Sequence, residues 1–180
     1  MQPDFPENLL IQTTSHCNSG CMFCPYRDVK YELSQGIMEE WVYKKIIDEC
    51  SRHSNVKRIM PYFMNEPLCD TGIVEKINYA KENNPIPTVH ILTNGIQLEE
   101  PLSSRLITSK LDWIGISIHA IREQTYKRFT GRTDFKKIIK NITHFIKKAL
   151  SLRDDNFIMI NITHPPGYLI EEEKDEAIEY

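Results

Sequence analysis

Apolar residues along this 180-residue chain follow two rhythms. Short aliphatic and β-branched runs predict strands at Leu9–Thr14, Arg58–Phe63, Thr88–Thr93, Trp113–Ile118 and Phe157–Ile162. Between them the period lengthens to that of a helix. Val42, Ile46, Ile47 and Cys50 mark a helix from Met38 to about His53, with Glu39 and Glu40 in its first turn, where acidic groups suit the positive end of the dipole. A second runs from about Ile73 to Asn84, closed by Pro85 and Pro87. A third spans Pro101 to Lys110, opened by a proline, and a fourth Phe135 to Leu150, with Phe135, Ile138, Ile139, Ile142, Phe145 and Ile146 on one face and lysines opposite. Pro61 is awkward in the second strand, because it donates no ladder hydrogen bond. The acidic stretch Glu171–Glu179 reads as a solvated face in the opening turns of a further helix.

Five strands alternating with helices imply repeated βα units, a parallel sheet and an α/β fold. Right-handed crossovers curl such a sheet with its helices outside. Chemistry in such folds gathers where the strands' carboxyl ends meet the loops that follow. No internal repeat, low-complexity tract or linker divides the chain.

Composition narrows the class. With 41% hydrophobic and 26% charged residues, the chain reads as one ordinary soluble domain. A formal net charge of -3 argues against a broad basic face, so nucleic acid is not an expected partner. The first residues lack a signal peptide's charged and apolar regions, and no apolar run is long enough to span a bilayer. Five cysteines, three of them crowded into one loop, suit a reducing interior, so a cytoplasmic location is expected.

That loop is the most informative stretch. Cys17, Cys21 and Cys24 follow the first strand with the spacing C-x3-C-x2-C, in Thr14-Ser15-His16-Cys17-Asn18-Ser19-Gly20-Cys21-Met22-Phe23-Cys24-Pro25. Three thiolates can hold three irons of a four-iron cluster, whereas an electron-carrying cluster is normally held by four. The missing ligand leaves an open metal position, where metals do chemistry. A structural zinc site, with His16 or a distant residue as fourth ligand, is the plainer alternative, but no second cysteine pair exists to complete it.

The loop resembles that of the radical S-adenosylmethionine (radical SAM) enzymes, and the resemblance runs from about Leu9 to Ile162. It implies a partial (β/α) barrel of parallel strands with outer helices, showing five of the usual six βα units, so residues 1–180 read as one core domain that is incomplete at its C-terminus. By the family pattern, Cys17, Cys21 and Cys24 ligate a [4Fe-4S] cluster. S-adenosyl-L-methionine chelates the open iron, and Phe23 lies against its adenine. Met64-Asn65-Glu66-Pro67 stands where the family has Gly-Gly-Glu-Pro, which receives the cofactor's amino group, giving Asn65 and Glu66 that place. Taken alone, Glu66 is more simply a solvated loop carboxylate. Thr93-Asn94-Gly95 resembles the family's Thr-Asn-Gly, with Asn94 as the contact, though a plain turn reads equally well. Ser117-Ile118-His119-Ala120 resembles Ser-x-Asp-Gly. It offers Ser117 to the ribose or carboxylate, while His119 and Ala120 depart from the pattern. Arg128 or Arg132 could fork onto the cofactor's carboxylate.

The resemblance implies reductive cleavage of S-adenosylmethionine to a 5'-deoxyadenosyl radical that abstracts hydrogen from a substrate. No side chain is required as a general base, and no catalytic residue is assigned. The variant loop after strand two is similar to that of the branch with a C-terminal auxiliary-cluster (SPASM) domain, which favours peptide modification or oxidation of a sugar-type alcohol. A small-molecule or peptide substrate and a low-potential electron donor of flavodoxin or ferredoxin type are the implied partners. A non-catalytic zinc or iron–sulfur scaffold is the second reading. Cys50 reads as a small buried hydrophobe. Cys69 reads as a plain loop thiol, with a hydrogen-donor role as its rarer alternative.

Overall fold

Five short strands, β1 (Asn8–Leu10), β2 (Arg58–Met60), β3 (Thr88–Thr93), β4 (Trp113–Ser117) and β5 (Ile158–Asn161), pair side by side in chain order. Every pairing is parallel. The structure, a computed structural model, describes residues 5–85, 87–153 and 156–161. Helices fill the connections: α1 (Tyr26–Val29), α2 (Glu40–Cys50), α3 (Ile73–Asn83), α4 (Leu102–Ile107), α5 (Glu123–Thr130) and α6 (Phe135–Leu152). A sequentially ordered parallel sheet whose end strands remain unpaired with each other is a partial (β/α) barrel. None of the described helices is long and apolar enough to cross a membrane. The acidic stretch Glu171–Glu179 lies outside the described residues.

Strand alternation sorts side chains onto two faces. Ile59, Val89, Ile91, Ile114 and Ile116 share one core with Ile47, Ile73, Ile77, Leu106 and Phe145 of the helices. The neighbouring residues form the opposite face. There His90 stacks on Trp113, ring centroids 3.9 Å apart, while Leu10 and Met159 stay 51% and 41% exposed. Gly115 belongs to this face, and a Cβ there would come within 2.3 Å of Leu92 Cδ2. Leu92 thus leans over Gly115, and its terminal methyl would have to shift to admit a Cβ.

Several boundaries differ from the sequence expectation for physical reasons. β2 stops at Met60, because Pro61 has no N–H and Tyr62 N turns back to Met60 O at 2.8 Å. β1 is also shorter than expected: Thr14 leaves the sheet for an isolated antiparallel bridge with Ile37. Met38 does not begin a helix, since its N–H reaches Thr13 O at 2.7 Å, and α2 starts two residues later. α5 was unforeseen. It ends on Gly131 with φ 73, the left-handed cap that glycine adopts without cost. Cys50 is buried, as expected.

Gly115→Ala is expected to destabilise the fold by about 1–3 kcal/mol through overpacking. Urea unfolding checks this. Adding Leu92→Ala to Gly115→Ala should recover part of the loss, and full additivity would contradict the close approach described.

Candidate active site

The cysteine loop is closed at its neck before any metal is considered. Thr14 Oγ1 and Ser15 N donate to Gly36 O at 3.2 and 2.9 Å, and Gly36 N donates to Ser15 Oγ at 2.7 Å. Tyr26 Oη donates to Ser15 O, so α1 folds back against the entrance. The middle of the loop is tied to the end of α5: Gly20 N donates to Thr130 O at 3.2 Å and Met22 N to Phe129 O at 2.8 Å. Cys17, Cys21 and Cys24 are free and half-buried within this frame.

Burial pushes the Cys17 thiol up to about 12 and also raises Cys21, against the lowering effect of hydrogen bonding to Ser19. A metal that binds here must displace protons, so its affinity depends on pH. Among the described residues, no three His, Cys, Asp or Glu side chains converge to hold a single ion. Thiolates that each bind a different iron of one cluster need no such convergence.

Loops from the carboxyl ends of β2 and β3 close on the cysteines. Glu66 is 3% exposed and not a solvated loop carboxylate. Its Oε1 accepts from Leu68 N at 3.1 Å and Thr93 Oγ1 at 2.5 Å, and its Oε2 accepts from Asn94 N at 2.8 Å. Burial raises its carboxyl to about 7, the three hydrogen bonds pulling the other way. Glu66 N donates to His16 O at 2.9 Å, and Asn94 Nδ2 donates to Asn18 Oδ1 at 2.8 Å. Asn65 Oδ1 accepts from Phe63 N at 2.7 Å, leaving its buried Nδ2 without a partner.

Cys69 ends a 3-10 turn, Pro67–Cys69, and the Asn18 amide donates to its sulfur. The Glu66-Pro67 pair was the available signal for that turn: Glu66 caps it by accepting from Leu68 N, and Pro67 occupies its first position.

Ser117 ends β4, and two residues on His119 packs edge-on against Phe23, with centroids 4.8 Å apart. Arg132 is already engaged: it forks onto Asp134 at 2.9 and 2.5 Å and sends Nη1 to Asn18 O at 2.8 Å. The structure therefore brings Cys17, Glu66, Cys69 and Asn94 together around Asn18, and sets Phe23 beside His119. A cavity of about 560 Å³ between α2 and α3 is a separate feature, lined by Tyr43, Lys44, Asp70, Lys76 and Tyr79 among others.

The sequence model of the radical SAM superfamily matches residues 11–176. Among curated proteins, a probable GTP 3',8-cyclase of Thermococcus kodakarensis is 26% identical over 140 residues, which is 78% of this chain and 44% of that protein. One of Methanocaldococcus jannaschii is 27% identical over 155 residues, 86% and 50% respectively. The chain thus spans about half the length of the curated relatives it matches. Among solved structures, Streptococcus suis SuiB bound to S-adenosylmethionine superposes with a TM-score of 0.71 at 17% identity, over 98% of this chain and 38% of that one. BtrN in complex with AdoMet and 2-DOIA gives 0.62 at 19%, over 93% and 60%. At these identities the structural likeness establishes the fold.

Glu66 carries a pH signature. Its folded-state value lies above the ordinary one of 4.5, so its stabilising share is complete below that value and is lost as pH rises through about 7. His90, which burial lowers to about 4, contributes the opposite slope over an overlapping window. The measurement is therefore a difference: urea unfolding of wild type and Glu66→Gln at several pH values from about 4.5 to 7.5. Wild type should lose stability relative to the variant as pH rises. The variant should also carry a constant cost of about 1–3 kcal/mol, because one end of its amide faces Asn94 N–H donor to donor.

Proposed function

The chain belongs to the radical SAM superfamily, whose members use a [4Fe-4S] cluster and S-adenosylmethionine, and from that premise we propose that it is an enzyme of the same chemistry. The donor set fits the cluster: three free, half-buried thiols occupy one braced loop, and soft sulfur ligands suit iron–sulfur centres. Cys17, Cys21 and Cys24 would each hold one iron and leave the fourth for the cofactor. When bound, the pair supplies one-electron reductive cleavage of the sulfonium, yielding a 5'-deoxyadenosyl radical for hydrogen abstraction.

The remaining residues position and shield. A carboxylate offers about four acceptor sites. Glu66 uses two on Oε1 and one on Oε2, so it can brace both loops and still receive the cofactor's ammonium on Oε2. Asn65 Nδ2 supplies an unpaired donor of the kind a carboxylate satisfies. Asn94 holds the cysteine loop through Asn18 and lines the same ends of the strands. Ser117 would meet the ribose and Phe23 the adenine. Arg132 braces the loop instead of reaching the cofactor.

A low-potential flavodoxin- or ferredoxin-type donor would deliver the electron, in a reducing, cytoplasmic setting that keeps the thiols free. The substrate belongs to the small-molecule or peptide class. The curated relatives are named for action on GTP, and among the structural neighbours SuiB is seen bound to its precursor peptide SuiA. The observation that carries the reading is the stitching of the cysteine loop to the carboxyl ends of β2 and β3 through His16, Asn18, Glu66 and Asn94.

The test is anaerobic reconstitution with iron and sulfide, followed by dithionite and S-adenosylmethionine. Wild type should take up iron, turn brown and release 5'-deoxyadenosine. Cys17→Ala, Cys21→Ala and Cys24→Ala should each lose the cluster, whereas Cys50→Ala should keep wild-type iron content. A colourless wild type that binds zinc stoichiometrically would replace this reading with the scaffold.

A further inference from the structure

The segment that closes β4 departs from its family pattern where the structure makes an unexpected contact. His119 stands in place of an acidic residue, and its ring meets Phe23 at 4.8 Å with the planes 78° apart. Behind Phe23 lies the fully buried Phe129, centroids 6.1 Å apart and also near perpendicular. Phe129 O accepts from Met22 N, so the backbone beside Phe23 is pinned to the same helix end that supplies the ring behind it. Phe23 remains 37% exposed, the part neither neighbour covers. Two perpendicular rings make a corner and not a flat platform.

We infer that His119 and Phe23 form a base-binding corner, in which His119 contacts the purine of the nucleoside cofactor in place of the ribose contact that an acidic residue would make. The inference rests on the reading that Phe23 faces the adenine. A planar base laid against Phe23 presents its edge to the imidazole ring, an edge-to-face contact of the kind aromatic rings favour. Stacking of a base on an aromatic side chain contributes about 1–3 kcal/mol, about a tenfold effect on affinity or somewhat more. The exchange of Asp-Gly for His119-Ala120 then shifts recognition from sugar to base. Ala120, the next residue, is fully buried.

The experiment is calorimetric titration of the reconstituted chain with S-adenosylhomocysteine, under anaerobic conditions, alongside iron content and thermal unfolding. His119→Ala should weaken binding by about tenfold at unchanged iron content and unchanged melting temperature. His119→Phe, which keeps a ring, should recover most of that loss. Because the corner is shared, Phe23→Leu together with His119→Ala should lose less than the product of the single losses. Wild-type affinity in His119→Ala, with Phe23→Leu impaired, would overturn the inference and leave the cofactor reading intact. Lost iron in both His119→Ala and His119→Phe would overturn it too, assigning His119 to loop folding. A wild type that holds its cluster but ignores the nucleoside would sink the cofactor reading itself.

Discussion

A buried carboxylate organises this molecule. Glu66 sits at the carboxyl end of β2, yet two of its three donors come from the end of β3. Removing an ionised carboxylate from water is expensive unless hydrogen bonds replace the lost hydration. Here two backbone amides and one hydroxyl do so, and the amides cannot exist in that geometry unless both loops are folded. The cost of burial therefore becomes a condition on loop shape. The raised carboxyl value shows that the compensation is incomplete in the chain alone. An ammonium group at the unused site on Oε2 would complete it, so binding and bracing draw on the same charge.

Asn18 extends that condition to the cysteines. Its side-chain oxygen takes Asn94, its carbonyl takes Arg132, and its amide points at the Cys69 sulfur. One residue lying between two candidate ligands thus connects the loops after β2 and β3 with the segment between α5 and α6. Arg132 is held in turn by a two-pronged pair with Asp134, geometry that a lysine could not reproduce. The loop is consequently preorganised by contacts that do not involve its sulfur atoms. Such a loop can receive a cluster without first paying the full entropy of ordering its backbone.

How much of this could be read in the chain depended on whether the interaction was local. The parallel sheet was legible, because each strand announces itself within six residues and each helix by its own period. The Cys17, Cys21, Cys24 spacing was legible for the same reason. The burial of Glu66 was not: its hydroxyl donor, Thr93, lies 27 residues away, and nothing near Glu66 in the chain predicts it. Cys69 read as a plain loop thiol, and its contact with Asn18 was hidden because the two are far apart in sequence. Arg132 looked available because its hold on Asn18 spans 114 positions, although Asp134 beside it was in plain view. His119 read as a departure from a motif, and its contact with Phe23 was hidden because the two rings are far apart in sequence.

The replacement of two glycines by Met64 and Asn65 also has a backbone explanation. Glycine is required where φ is positive or where a Cβ has no room. Among the described residues, no non-glycine position has positive φ, so the loop after β2 runs through conformations open to any residue. What the side chains add is then the relevant change. Asn65 turns its carbonyl oxygen onto Phe63 N, closing a local turn, and this leaves Nδ2 buried with its hydrogen-bonding capacity unspent. A buried unpaired donor is costly in isolation, and it persists more readily where a bound group relieves it. The substitution that weakens the motif on paper would thereby supply the proposed cofactor site with a directional side-chain donor that a pair of glycines lacks.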